Sequence, residues 1–316
     1  MTMDALYFPY LSLPASTWVN PTLLYFDRLA VIAPEGAPRN IFDDRTHELI
    51  RIGLVCPLVP RAGWGGDEDE KLVAYILGRA SVTKRYDRIE RIHAGKLAYS
   101  FIADALSAAG LLVRDGSWFE GPDWVIAHIM TYLAVQLSSH APGALPLITD
   151  ERAAAGVVSG SPESLMISRR LKGIARLLPV PPDVPPDELQ RFKEDNRREL
   201  HAFRSYVDGL ITSDASGDLD DGFEERLREA KYTRDHLLDQ VRACDWRWQG
   251  PEFLVSVAVS GAALLDHAPW TFGASVLNLA LDGARGFAAW RRGHEAARHP
   301  LVYATRVVGK WQGGRR

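Results

Sequence analysis

The chain has 316 residues, of which 47% are hydrophobic and 24% are charged, and its formal net charge is −3. These values are ordinary for a globular protein, and no general positive charge favours nucleic-acid binding. Cys56 and Cys244 are far apart and have no C-x-x-C neighbour, which excludes a disulfide framework or a zinc cluster and favours a reducing compartment. Because neither a secretory signal nor a stretch of about 18 apolar residues is found, we predict a cytoplasmic protein.

The amino-terminal part predicts alternating strands and helices. Asn20-Pro21 is suited to begin a helix, because proline is favoured in a helix's first turn, and Asp43 or Asp44 can cap the next one. The strands are predicted at residues 6–11, 30–33 and 54–60, with helices at residues 20–29 and 44–50 between them. This order predicts a small, mainly parallel sheet with crossover helices.

The middle of the chain predicts further helices and one hairpin. The charged segment 83–93 alternates in sign, which favours an exposed helix. Asp115-Gly116 lies between two apolar flanks, a strong hairpin signal. Helices are predicted at residues 71–80, 96–109 and 123–139, a strand at residues 145–148, and a helix or strand at residues 164–178.

The carboxy-terminal part has a different pattern. A proline-rich run at residues 179–188 is typical of a stiff linker. Apolar residues recur every three or four positions in residues 192–210 and 223–241, which predicts an antiparallel helical hairpin. Residues 301–311 alternate enough to predict an edge strand. We therefore predict an α+β protein with an α/β domain at 1–180, a linker and hairpin at 181–249, and an apolar helical hairpin with a basic tail at 250–316.

Three segments carry a family resemblance. They are the opening LYFPY strand with Trp18 and LLYFDRLAVIAPEG, the stretch AHIMTYLA…PLITDE, and the helix FKEDNRRELHAFR. Together they resemble a bacterial family known only as a domain of unknown function, whose members open with an LYYPY strand and an LYWD helix. The resemblance covers the chain to about residue 210. It implies a bacterial source and an association with phage defence, but no activity.

Two sets of residues that contain carboxylates are candidate sites. Asp27, His128 and Asp150 are predicted near strand ends, where open α/β sheets bind ligands, and could form a hydrolase-like cleft with His128 as the base. Asp214, Asp218 and Glu225 match positions of a calcium-loop template. The glycine that this loop requires is replaced by leucine, so a solvated acidic turn is favoured and no metal is predicted.

The motif IHAGK contains His93 and Lys96 and superficially suggests a phosphate loop. The G-x-x-x-x-G-K-[ST] pattern is missing, because only one glycine precedes the lysine and alanine follows it. The segment is therefore interpreted as a turn. No cofactor is predicted from any motif in the chain.

The absence of a complete catalytic motif favours a non-catalytic protein that binds a partner or associates with itself. The weakly polar run 252–290 and the basic residues after it are the predicted contact surface, represented by Phe253, Trp270, Arg291 and Arg292. The alternative is a membrane-acting effector that inserts this run into lipid. Its first apolar segment is too short to cross about 30 Å of hydrocarbon, so burial within the protein is favoured.

Overall fold

The computed structural model describes residues 3–36, 41–60, 67–81, 88–97, 101–141, 145–149, 162–212, 221–248 and 299–312. The chain divides into a first unit, Met1–Ala175 with Pro181–Asp195, and a second unit, Arg176–Val180 with Asn196–Arg316. Strands β1 to β7 span Ala5–Tyr7, Leu29–Ile32, Val55–Leu58, Ile89–His93, Val113–Asp115, Trp118–Pro122 and Leu147–Ile148. Helices α1 to α10 span Val19–Tyr25, Asp44–Arg51, Asp67–Ala80, Phe101–Ala108, Asp123–His140, Pro162–Leu177, Pro186–Asp195, Arg197–Thr212, Asp221–Trp248 and Val302–Gln312.

A parallel sheet organises the first unit. Its strand order is β3-β2-β1-β7, and every neighbouring pair is parallel. All residues of β1 and β2 are buried, as expected where helices cover a parallel sheet. The helix α2 begins as the sequence predicts, because the Asp43 carboxylate accepts the backbone N–H of Thr46 at 2.6 Å. The predicted α/β amino-terminal part is confirmed.

A second, antiparallel sheet has the order β4-β6-β5. The predicted hairpin is confirmed, with Gly116 in the turn at a φ of 58°. The predicted exposed helix is wrong for Ile89–His93, which pairs with β6 instead. The reason is the period-two pattern of this segment: Ile92 is buried opposite Phe119, while the neighbouring Arg91 forms an ion pair with Glu120 at 3.1 Å.

One hydrophobic core joins both sheets of the first unit to α5. It includes Leu6 and Ile32 of the parallel sheet, Ile92 of the small sheet, and Ile129 and Ala134 of α5, all nearly inaccessible to solvent. The core therefore fixes α5 and the turn after β4 close to the end of β1, and α5 contacts both β4 and β7.

The second unit is helical where it is described. Phe203 of α8 and Tyr303 of α10 are fully buried, with ring centroids 5.7 Å apart, and Leu227 of α9 is buried in the same unit. The predicted edge strand at residues 301–311 is wrong, because this segment is α10. Residues 302–305, 307 and 308 are buried, whereas an edge strand with one face in solvent would expose every second side chain.

The predicted long helix at residues 192–210 is interrupted at Asn196, which separates α7 from α8. Among the described residues, no helix is both long and apolar enough to cross a membrane. A small parallel sheet followed by a mostly helical carboxy-terminal part makes the protein α+β, as the sequence predicts.

Candidate functional site

A cleft opens beside the carboxyl end of β1. The chain builds β1, β2 and β3 outward in one direction and then returns with β7 on the other side of β1. The carboxyl ends of β1 and β7 thus form the point at which the strand order reverses, which is where open α/β sheets bind ligands. Pro9, Tyr10 and Leu11, which follow β1, line the cleft.

The short 3-10 turn Ala94–Lys96 brings Lys96 into this cleft. Nδ1 of His93 accepts the backbone N–H of Gly95 at 3.0 Å and so caps the turn. The turn also lies against the loop after β2, since the N–H of Glu35 donates to the carbonyl of Gly95 at 3.1 Å. A Cβ at position 95 would lie 2.8 Å from Cβ of Pro34, so the close approach requires glycine.

Lys96 is a buried amine with little compensation. The residue is 5% exposed, and its Nζ donates to the carbonyl oxygen of Pro9 at 3.0 Å. Within the described part of the chain, this is its one hydrogen bond and it has no carboxylate partner. Burial lowers the pKa of Lys96 to about 7, because removal from water disfavours the charged form.

The other cations of the cleft differ from Lys96, because they are paired. Arg88 forms an ion pair with Glu90 at 2.7 Å, and Arg91 pairs with Asp115 and Glu120. The guanidinium of Arg91 also lies 5.6 Å from the centre of the Trp118 ring. An anionic or polar ligand would therefore meet Lys96 as the cation with least compensation.

His93 supplies a second polar group. Its pKa is lowered, first by burial and then by the charge of Lys96. Because Nδ1 accepts a hydrogen bond from Gly95, the neutral ring carries its hydrogen on Nε2. His93 also lines the cleft, so a hydrogen-bond donor and an amine share one site.

The remaining wall is mainly apolar and comes from α5 and β4. Its apolar part is formed by Ile92, Ile126, Ala127 and Met130, with Trp118 of β6, and Asp123 at the start of α5 adds a carboxylate to the lining. The cavity volume is about 150 Å³, which is enough for a molecule about as large as benzene. A nucleotide cofactor would need a pocket of roughly 300 Å³ or more, so the cleft suits a much smaller ligand.

Asp27 and His128 of the predicted acid/histidine cleft do not line this site. Asp27 precedes β2 rather than following a strand, so it lies at the amino end of the sheet, where its carboxylate accepts the N–H of Met3 at 2.6 Å. His128 lies on α5 between Trp124 and Tyr75, with Nδ1 2.6 Å from the carbonyl of Trp124. Burial is the main cause that lowers the pKa of His128. Asp150 lies outside the described residues.

Of the other predicted site residues, the structure describes only Glu225. Glu225 lies near the start of α9 and pairs with Arg228. In the described ranges no group of three or more histidine, cysteine, aspartate or glutamate residues is arranged to hold a metal ion. The remaining candidates lie outside these ranges: Asp214, Asp218, Phe253, Trp270, Arg291 and Arg292.

Sequence reasoning placed Lys96 in a turn but did not identify it as a site residue. The turn is confirmed. The overlooked signal is that IHAGK contains the end of a strand, because β4 ends at His93 and the turn Ala94–Lys96 follows it directly. That signal becomes specific only once the burial of Lys96 is known.

Comparison with known proteins adds no further assignment. No protein-family model matches the chain, and no curated protein or solved structure shows significant similarity to it. The family resemblance of the three segments therefore stays a prediction.

Proposed function

We propose that the first unit is a small-molecule-binding domain whose ligand occupies the cleft and presents an oxygen atom to Lys96. The observation that carries this proposal is the buried amine of Lys96, which lines the cleft and has no carboxylate partner among the residues that the structure describes. A buried, unpaired cation destabilises a fold. Groups of this kind with a strongly shifted pKa cluster at functional sites.

The shape and lining of the cleft define the kind of ligand. A volume of about 150 Å³ limits it to roughly the size of benzene. The side chains of Ile126 and Met130 favour an apolar body, and Lys96 with His93 favours one carboxylate or carbonyl group. The ligand is therefore a small aromatic or aliphatic acid, aldehyde or ketone.

Methionine methyl resonances test this proposal on the intact chain. Met130 lines the cleft, whereas Met166 on α6 is 41% exposed and provides an internal control. We expect benzoate, or another member of a panel of benzene-sized acids and carbonyl compounds, to shift the Met130 methyl signal and not that of Met166. The Lys96→Met variant should weaken the response by about tenfold or more, because a hydrogen bond to a charged group contributes about 1.5–3 kcal/mol.

The outcome that would contradict binding is equally direct. If no member of the panel moves the Met130 signal, or if Met130 and Met166 respond alike, the cleft is not a ligand site. If Lys96→Met responds to the panel as the wild type does, the cavity is a ligand site but the amine does not contribute to binding.

The interaction role predicted from the sequence remains a second proposal, for the second unit. The apolar faces of α8 and α10 are buried against each other through residues such as Phe203 and Tyr303. The predicted contact residues Phe253 and Trp270 lie outside the described ranges. A pull-down from the native host in which Phe253→Ser loses a partner would support this role, and recovery of no specific partner would count against it.

A further inference from the structure

We propose that Lys96 forms an imine with a small aldehyde or ketone admitted to the cleft. This inference rests on the proposed function. It selects aldehydes and ketones, the ligands of the cleft that can react with an amine. Its basis is the position of the Lys96 amine in a mainly apolar cavity: Nζ has one carbonyl acceptor and, among the described residues, no ion pair with a carboxylate, although Glu90 and Asp123 also line the cavity. A lysine in such surroundings is a nucleophile suited to carbonyl carbon.

The hydrogen bond to Pro9 orients the amine without blocking it. Nζ donates one hydrogen to the Pro9 carbonyl at 3.0 Å. A neutral amine that donates one hydrogen still holds its lone pair, which is the electron pair that attacks a carbonyl group. Since burial lowers the pKa of Lys96 to about 7, a large fraction of the amine is neutral at physiological pH. An ordinary lysine is neutral in only about one molecule in a thousand near that pH.

The reaction balances without an oxidant or a reductant. The Nζ lone pair forms a C–N bond to the carbonyl carbon, and the carbonyl oxygen leaves as water with the two hydrogens of the amine. The product is a C=N bond between Lys96 and the ligand. Nε2–H of His93, in the same cleft, is a donor of the kind that polarises the carbonyl oxygen.

Lys193 and Lys71 have hydrogen-bond partners that differ from those of Lys96. Lys193 is also buried in the first unit, but its Nζ donates to the carbonyls of Leu23, Phe26 and Asp27 and so serves the end of α1. Lys71 has a side chain that is 70% exposed and pairs with Glu68 at 2.5 Å. Imine formation should therefore discriminate strongly between the three lysines.

Reductive trapping on the full chain tests the inference. The protein is incubated near neutral pH with benzaldehyde and cyanoborohydride, which converts an imine into a stable amine, and the modified lysines are located by peptide mass spectrometry. We expect Lys96 to be modified at least about tenfold faster than Lys71, because its neutral fraction is higher by roughly a thousandfold before any loss from limited access. Lys96→Arg, which keeps a cation but forms no imine, should lose the fast phase.

The control separates this inference from the proposed function. If benzaldehyde shifts the Met130 methyl signal but Lys96 is labelled no faster than Lys71, the imine is excluded and non-covalent binding stands. If the Met130 signal also stays unchanged for the whole panel, both proposals fail. Because Lys71 is compared with Lys96 within the wild-type chain, the result does not depend on whether a variant folds.

Discussion

Two buried lysines in the first unit have opposite surroundings. Lys193, on α7, is 8% exposed and donates to three backbone carbonyls at the end of α1, those of Leu23, Phe26 and Asp27. Lys96, on the turn after β4, is 5% exposed, and within the described ranges its Nζ donates only to the carbonyl of Pro9.

The difference separates a structural cation from a functional one. Leu23 lies in the last turn of α1 and Phe26 and Asp27 follow the helix, where backbone carbonyls lack partners within the helix, so one ammonium satisfies three acceptors. A buried amine with one acceptor recovers less of the hydration that it loses on burial. The first lysine therefore stabilises the fold, and the second is the one to which we assign the proposed ligand.

The largest expected effect is at Lys193. Lys193→Met removes three charge-assisted hydrogen bonds and leaves the carbonyls of Leu23, Phe26 and Asp27 without that donor. We expect the free energy of unfolding to fall by about 3 kcal/mol, since each bond to a charged group contributes about 1.5–3 kcal/mol and the three are not additive. Urea denaturation followed by circular dichroism measures the loss. A loss below about 1 kcal/mol would show that the ammonium does not stabilise this helix end.

The pH dependence of stability is the next effect, and it belongs to Lys96. Its folded pKa of about 7 lies below the ordinary value of 10.5, so the unfolded chain binds more protons between these two values. Stability should therefore rise as the pH increases through this window and be lost as the pH falls back towards 7. From about pH 7 to about pH 9 the gain should be roughly 2 kcal/mol.

The matched control for this titration is Lys96→Met, which removes the titrating amine and keeps an unbranched side chain. Its stability near pH 7 should equal or exceed that of the wild type, and its slope above pH 7 should be smaller by about one proton. Parallel slopes for the two proteins would contradict the low pKa of Lys96. A large loss of stability in the variant would place Lys96 with Lys193 as a structural residue.

The smallest expected effect distinguishes two glycines. A Cβ at Gly95 would meet Pro34 and the carbonyl oxygen of Glu35, whereas a Cβ at the exposed Gly78 of α3 has nothing within 4 Å. Gly95→Ala should therefore destabilise by about 1–2 kcal/mol and displace the turn that positions Lys96. Gly78→Ala should be neutral or stabilising by up to about 1 kcal/mol.

Thermal unfolding and the Met130 response to benzoate together measure the result for both glycines. Gly95→Ala should lose the response to benzoate as well as stability, whereas Gly78→Ala should keep both. Equal behaviour of the two variants would show that the contact between the turn and the loop after β2 does not position the site.

The regular elements of the first unit were largely predictable because their signals are local. Asp43 caps α2 as predicted, and Asp115-Gly116 marks a hairpin whatever surrounds it. Two segments failed for the opposite reason. Ile89–His93 carries alternating charges that suit either an exposed helix or a strand, and pairing with β6 decides between them. Val302–Gln312 alternates enough to suggest an edge strand, but contacts with α8 and α9 bury the successive residues 302–305 of a helix.

The site itself could not be predicted, because it depends on contacts between distant segments. Lys96 becomes unusual only where the turn after β4 meets Pro9, which is 87 residues earlier in the chain. Asp27 was predicted as a site residue because it is an acid near a strand. It lies at the amino end of the sheet, however, because β2 begins after it, at Leu29. Residue type and spacing show neither which distant segments are in contact nor at which end of a sheet a residue lies.

The most direct measurement of the central claim is the ionisation of the Lys96 side chain in the folded protein. The carbon next to Nζ is followed by NMR in lysine-labelled protein, and the signal is assigned by its loss in Lys96→Met. The account predicts that this signal titrates near pH 7 and that benzoate raises its midpoint by holding the amine protonated. A midpoint near the ordinary lysine value of about 10.4, unchanged by every acid of the panel, would contradict it.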